Sequence, residues 1–306
     1  MKTLTLRQFR YFEALAQSGH FGRAAEACAI SQPALSLQIK DLEDSLGAPL
    51  FERGARQVRL TAFGEAFAER VRTILSAVDD LEDLARSARQ EPLARLRLGV
   101  IPTVAPYLLP RILGDLSEKH PGLDVHLRET ITAKLVQELN AGRLDAAIVA
   151  LPVSEPSFEE VPLLQEDFVL VRPLADADKP APDADALRTM RLLLLEEGHC
   201  FRDQALSFCQ TNSAMPREML DGSTLATLVQ MVGAGIGVTL IPEMAVPVET
   251  RSASVSVVRF HHTKPTRRLG MIWRKTSPLG PRFRALAATL RASAEAARQA
   301  RIGPSA

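Results

Sequence analysis

The sequence predicts two architectures in one chain: an all-α winged helix-turn-helix that runs on into a long helix, and a C-terminal α/β domain. Three observations carry this. Apolar residues recur at helical spacing through three short segments before Gly47, a heptad-like stripe follows from Phe67 to Ala85, and beyond Pro92 apolar strand patterns alternate with helical ones.

The first helix carries Leu6, Phe9, Phe12, Leu15 and Ala16 and stops at Ser18-Gly19. A short second helix, Gly22 to Ala27, offers Ala24, Ala25 and Ala27, small enough to let neighbouring helices approach closely. Ser31 caps a third, which tolerates Pro33 because N–H groups of a first turn have no intrahelical acceptor. That helix continues through Leu35, Ile39, Leu42 and Leu46 to Gly47. Helix, short helix, turn and capped helix is the helix-turn-helix pattern, whose last helix offers its N-terminal residues to the DNA major groove. Opposite the apolar stripe stand Gln32, Ser36, Gln38 and Lys40. Gln and Ser suit base edges or phosphate, and Lys suits phosphate. A three-helix bundle with a solvated face shares this pattern. After Leu50-Phe51, however, the stretch from Glu52 to Leu60 reads as a two-stranded wing, with Arg53, Arg56 and Arg59 about Gly54. Arginines on such a hairpin suit the DNA backbone or a narrow minor groove, although a charge run alone equally describes a solvated loop.

Charge does not decide the matter. The chain carries a net +1, and its first 60 residues hold eight basic against six acidic side chains. Binding to DNA therefore rests on the placement of charge, not on its amount. A hydrophobic fraction of 46% and a charged fraction of 24% are those of a soluble globular protein, with no apolar run of membrane-spanning length. The start turns polar before a signal-peptide core can form, so a cytoplasmic protein is expected. Three cysteines, an odd number in a reducing compartment, argue against a disulfide framework.

Thr61 caps a long helix reaching about Arg89, with Phe67, Val71, Ile74, Val78, Leu81 and Ala85 alternating spacings of four and three. Such a narrow seam predicts a coiled-coil dimer rather than a helix packed on its own domain. Ser87 to Ala94 reads as a hinge. Strands are predicted at Leu96 to Ile101, Leu123 to Leu127, Leu144 to Leu151, Phe168 to Val171, Leu192 to Leu195, Val238 to Ile241, Val255 to Phe260 and Leu269 to Trp273. Helices are predicted at Tyr107 to His120, Ala133 to Ala141, Leu225 to Val232 and from Pro281 to about Gln299. This is the rhythm of a mainly parallel sheet with covering helices. Ala175 to Ala186, rich in Ala, Asp and Pro, is expected to be an exposed loop.

The run from Phe21 to Glu43, FGRAAEACAISQPALSLQIKDLE, followed by Leu46-Gly47 and Leu50-Phe51-Glu52-Arg53, closely resembles the LysR-type transcriptional regulators. The resemblance implies a winged helix-turn-helix over 1–61 with its motif at 21–40, a linker dimerisation helix over 62–89, a hinge at 90–94 and a regulatory domain over 95–306. That domain would resemble type 2 periplasmic binding proteins, with one subdomain over 95–165 and 268–306 and a second over 166–267. Ser31, Gln32, Pro33, Ala34, Ser36, Gln38, Lys40, Arg53 and Arg56 would then face operator DNA. Ile101 to Pro110 (IPTVAPYLLP), and above all Gly198 to Leu206 (GHCFRDQAL) with Cys209, resemble the OxyR, hydrogen-peroxide-sensing branch of the family. This implies a regulator of oxidative-stress genes, activator or repressor, with Cys200 peroxidatic and Cys209 resolving. Thr103, Thr132, Gly198, His199, Arg202 and Asp203 would form the peroxide pocket. The implied partners are double-stranded operator DNA, further copies of the chain as homodimer and homotetramer, RNA polymerase and a thiol reductant system. No cofactor, metal or membrane is implied.

The residues themselves support a reactive Cys200. Gly198 ends an apolar strand and a short helix begins just after it, so helix N–H groups and Arg202 would favour a thiolate. His199 can donate to a peroxide oxygen, while Arg202 and Asp203 alternatively form a local ion pair. Cys209 lies nine residues beyond Cys200, which on a continuous helix is about 13 Å. A disulfide needs alpha carbons within about 7 Å, so a helix joining them must unwind. Zinc is disfavoured for want of further ligands at usual spacing. His261-His262 reads as a solvated loop pair and Cys28 as core. Two other readings stand beside the sensor: a LysR-type regulator controlled by a small metabolite in the interdomain cleft, with the cysteines incidental, and a peroxidase-like enzyme. The enzyme would need an external reductant at each turnover, which favours a sensor.

Overall fold

The structure is a computed structural model that describes residues 4–52, 58–88, 93–182, 184–208, 221–260 and 264–301. The chain forms two compact units, the first over residues 1–91 with 140–143 and the second over 92–139 and 144–306; residues 90–92 of the expected hinge lie outside the described residues. The first opens with α1 (Leu6–Ser18), α2 (Phe21–Ala27) and α3 (Gln32–Leu46). Local chemistry sets these ends. Thr5 and Gln8 form a capping box on α1, Ser31 Oγ accepts from the Ala34 amide at 3.4 Å, and Gly19 and Gly47 close α1 and α3 in the left-handed conformation. His20 caps α2 through Nδ1, a cap the sequence reading did not find. Phe12, Leu15, Leu35, Leu42 and Leu50 are fully buried between the helices. Glu43 of α3 accepts from the Leu50 and Phe51 amides at 2.7 and 3.1 Å, fixing the entry to the wing strands β1 (Phe51–Glu52) and β2 (Arg59–Leu60).

Thr61 Oγ1 then accepts from the Gly64 amide at 2.9 Å and starts α4 (Ala62–Ala88). Gly64 is required where α4 crosses β1, because a Cβ there would run into the Leu50 carbonyl. The heptad seam needs correction at its N-terminal end. Phe67 packs edge-on against Phe9 and Phe12, and Ala68 and Val71 are buried with them in the unit's own core. Farther along, Ile74, Leu81 and Leu84 stand exposed. Periodicity alone does not distinguish an apolar position covered by α1 from one left for a second chain.

The second unit runs β3 (Arg95–Val100), α5 (Ala105–Lys119), β4 (Asp124–Glu129), α6 (Thr132–Asn140), β5 (Ala146–Leu151), β6 (Phe158–Pro173), α7 (Ala184–Thr189), β7 (Leu192–Leu195), α8 (Cys200–Phe208), β8 (Asp221–Gly222), α9 (Leu225–Gly233), β9 (Val238–Pro242), α10 (Val246–Glu249), β10 (Val255–Arg259), β11 (Thr266–Arg274) and α11 (Gly280–Arg301). Nine strands form one sheet in the order β4-β3-β5-β11-β6-β9-β7-β8, with β10 pairing β6. Strands β5 and β7 are buried at every residue, hence their unbroken apolar runs. The sheet is mixed rather than mainly parallel: β11 runs antiparallel to β5 and β6, and β6 antiparallel to β9 and β10.

The expected strand at Phe168 to Val171 is the far end of the 16-residue β6. Glu159, Glu160, Gln165, Glu166 and Asp167 hide its first half from a hydropathy reading. β6 and β11 pair with both halves of the sheet, and where they cross, Glu166 stands opposite Arg267 in register. Part of the expected loop over 175–186 is structured, since α7 starts at Ala184 and buries Leu187.

Candidate functional site

Strand β7 ends at Leu195, and Glu196-Glu197-Gly198-His199 turn the chain into α8, which starts at Cys200. Gly198 has φ +92° and sits where a Cβ would lie 3.1 Å from Ile131 Cδ1, so both backbone and space call for glycine. That approach brings the start of α6, with Thr132, against the turn preceding Cys200. Thr132 Oγ1 is buried and, among the described residues, has no hydrogen-bond partner. Cys200 is half-buried and packs on the core of the second unit. It is the first residue of α8, in the turn whose amides lack acceptors within the helix.

Arg202 takes a role the sequence did not indicate. It is buried, and Nη1 donates to the Leu195 carbonyl at 2.8 Å, tying α8 to the end of β7. Asp203 is exposed and lines a pocket of about 410 Å³ with Phe168, Gln204, Ser207, Pro265 and Thr266. Cys200 is not among the residues lining that pocket. His199 is half-buried, and burial lowers its pKa below the usual 6.5, outweighing the attraction of Glu196. A neutral ring can both donate and accept. Because the unfolded chain takes up this proton more readily than the folded one, His199 makes stability fall as pH drops through about 6.5. Replacing His199 with asparagine is expected to remove that part of the slope in urea titrations between pH 5 and 7 (roughly the window of an imidazole). An unchanged slope would count against the buried neutral ring.

Thr103 precedes α5 and is buried. Its Oγ1 accepts from Arg267 Nη1 at 2.7 Å and its carbonyl from Nη2 at 3.0 Å. Arg267, with a fully buried side chain, pairs with Glu166 at 2.6 Å, and the Met244 amide donates to the other oxygen of Glu166 at 3.3 Å. The guanidinium lies 5.6 Å from the ring centre of Phe201, the residue after Cys200, and 6.0 Å from that of Phe168. Thr103 is thus joined to the start of α8 through Arg267. Sequence reasoning missed Arg267 and Glu166, although a charged residue inside an otherwise apolar strand signals a partner elsewhere. Because Arg267 occupies the acceptor side of the Thr103 hydroxyl, its proton is free to point to a third group. Cys209 lies outside the described residues.

On α3, Ser31, Gln32, Pro33, Ala34, Ser36 and Lys40 are exposed, while Gln38 is half-buried on the flank of the helix. Arg53 and Arg56, like His261 and His262, lie outside the described residues. Cys28 is half-buried at the end of α2, where burial raises its pKa.

The family model of bacterial regulatory helix-turn-helix proteins of the LysR family matches residues 6–65, and that of the LysR substrate binding domain matches residues 89–295. The chain is 43% identical to a probable hydrogen peroxide-inducible genes activator of Streptomyces viridosporus, over 94% of this chain and 93% of that one. It is 40% identical to the DNA-binding transcriptional dual regulator OxyR of Escherichia coli K12, over 94% and 95%. The chain belongs to the LysR family, in its OxyR branch. Among solved OxyR structures, a full-length cysteine-to-aspartate mutant from Pseudomonas aeruginosa superposes with a TM-score of 0.77 at 36% identity, covering 95% of this chain and 96% of the other. A cysteine-to-serine mutant from Corynebacterium glutamicum, with hydrogen peroxide bound, gives 0.66 at 34%, covering 96% and 93%. As a LysR-family regulator of this branch, the chain is a DNA-binding transcription regulator with a C-terminal LysR substrate binding domain. Among the described residues no helix is long and apolar enough to cross a membrane.

Proposed function

We propose that this OxyR-branch chain is a cytoplasmic hydrogen-peroxide sensor that regulates oxidative-stress genes through a disulfide between Cys200 and Cys209. The Cys200 thiolate attacks one peroxide oxygen, the O–O bond breaks, and hydroxide leaves as sulfenic acid forms. The Cys209 thiol then displaces water from that sulfur. Thr103, Thr132, Gly198, His199 and Arg202 build the reaction pocket, with Arg202 and Gly198 shaping the turn and the hydroxyls and imidazole meeting the peroxide. Asp203 belongs to its outer rim.

One observation carries the switch. Helix α8 is continuous from Cys200 to Phe208, eight steps of about 1.5 Å, or about 12 Å between alpha carbons. One further step of about 3.8 Å leaves Cys209 no closer than about 8 Å to Cys200, wherever it points. The limit for a disulfide is about 7 Å, so the bond forms only if α8 unwinds. Oxidation therefore refolds the segment instead of decorating it. Thiol-trapping mass spectrometry after a stoichiometric peroxide pulse tests this: a Cys200–Cys209 cross-link is expected, and its absence overturns the switch in favour of control by a small metabolite.

The working form is a homodimer through α4, assembled further into a homotetramer on operator DNA, with RNA polymerase as downstream partner and a thiol reductant to reset the switch. Exposed Leu81 and Leu84 support the α4 contact. Changing both to aspartate is expected to dissociate the dimer in sedimentation experiments while leaving each unit folded. A dimer of unchanged stability would place the contact elsewhere.

A further inference from the structure

Helix α3 turns Leu35, Ile39 and Leu42 into the core, yet Leu37 on the same helix stands 57% exposed. Its neighbours one turn away on the helix surface are exposed Pro33, Ala34 and Lys40 and half-buried Asp41, and Ser36 beside it is exposed as well. A single exposed leucine is ordinary. The location of this one is not, because it stands on the side of α3 away from the buried residues, and the last helix of a helix-turn-helix is the one that enters the major groove.

We propose that Leu37 reads a thymine methyl group in the major groove and so determines sequence specificity. When α3 docks, Leu37 loses its water and offers no hydrogen bond in return. A donor or acceptor on the base edge opposite would lose its own water uncompensated. The thymine C5-methyl is the apolar group that the four bases offer in that groove, and contact with it strands no polar atom. Leu37 therefore selects thymine at one position of each half-site, beside whatever Gln32 and Ser36 read by hydrogen bonding. The inference uses the DNA-reading role of α3 and is independent of the peroxide reading.

The test uses reduced full-length protein and duplexes enriched by it from a random-sequence pool. Each enriched thymine is replaced in turn by deoxyuridine, which removes the methyl and nothing else. At one position per half-site the wild type is expected to lose about fourfold in affinity, the worth of one buried methyl group. Leu37→Ala, with an unchanged melting temperature, is expected to bind the thymine and uracil duplexes equally. 5-Methylcytosine at a tolerated cytosine in that position restores part of the wild-type affinity. Insensitivity of the wild type to uracil at every position overturns the proposal, as does a Leu37→Ala protein with wild-type sensitivity or one that is folded yet binds no duplex. A pool that yields no enriched sequence overturns it together with base reading by α3, whereas loss of the peroxide response alone leaves it standing.

Discussion

A Cys200→Ser protein is expected to bind operator DNA as the reduced wild type does and to show no response to hydrogen peroxide. Serine fits the half-buried site at the start of α8. Its hydroxyl stays protonated near neutrality and does not reduce peroxide, whereas a cysteine sulfur reacts with peroxide as the nucleophile. The effect is a complete loss of switching, read as operator footprints with and without peroxide. Cys209→Ser separates the two chemical steps. It is expected to accumulate Cys200 sulfenic acid, captured by a dimedone-type reagent, without the lasting change in footprint. A normal footprint change in Cys200→Ser would remove the sensor role from this residue.

The second large effect is expected at the crossing of β6 and β11. Arg267→Met leaves Glu166 buried beside apolar neighbours with one partner fewer, and such a cut through a buried ion pair typically costs about 3–5 kcal/mol. Glu166→Leu leaves the buried Arg267 guanidinium without its counter-charge, held by the Thr103 hydroxyl and carbonyl. The double variant removes both charges and is expected to recover most of the loss, because desolvating two ions offsets much of their attraction. Trp273 is the single tryptophan of the chain and is fully buried in the same core, so its fluorescence in urea follows this unit directly. A loss of under about 1 kcal/mol for Arg267→Met, the range of an exposed pair, would mean that the pair is solvated. Since Thr103 and Phe201 share the guanidinium, the single variants are also expected to alter the rate of Cys200 oxidation.

The helical unit was legible wherever one residue and its near neighbours decide the structure. Ser31, Thr61, Gly19 and Gly47 act through their own backbone or an amide three residues away, and the predicted helix ends at those points are the observed ones. The helix beginning after Gly198 was legible for the same reason. Harder to read were β6, whose polar first half pairs along β11, and the antiparallel return of β11 itself, which depends on strands about a hundred residues apart in sequence. Leu37 falls off the apolar stripe of Leu35, Ile39 and Leu42 by the helical period alone, and the structure leaves it exposed there.

For the candidate site, the motif from Gly198 to Leu206 and the pair of threonines could be picked out by their likeness to the OxyR branch. The guanidinium that links Thr103 to Phe201 could not. By itself the sequence determined the helix-turn-helix, the caps at Ser31 and Thr61, the apolar runs of β5 and β7, and the cysteine at the start of α8. These follow from periodicity and short-range hydrogen bonding. Only the tertiary structure decided that Phe67 and Val71 face their own unit while Leu81 and Leu84 remain exposed. It also decided that Arg267 neutralises Glu166 inside the sheet. Burial and charge pairing belong to what packs against a residue, and that partner is set by the fold.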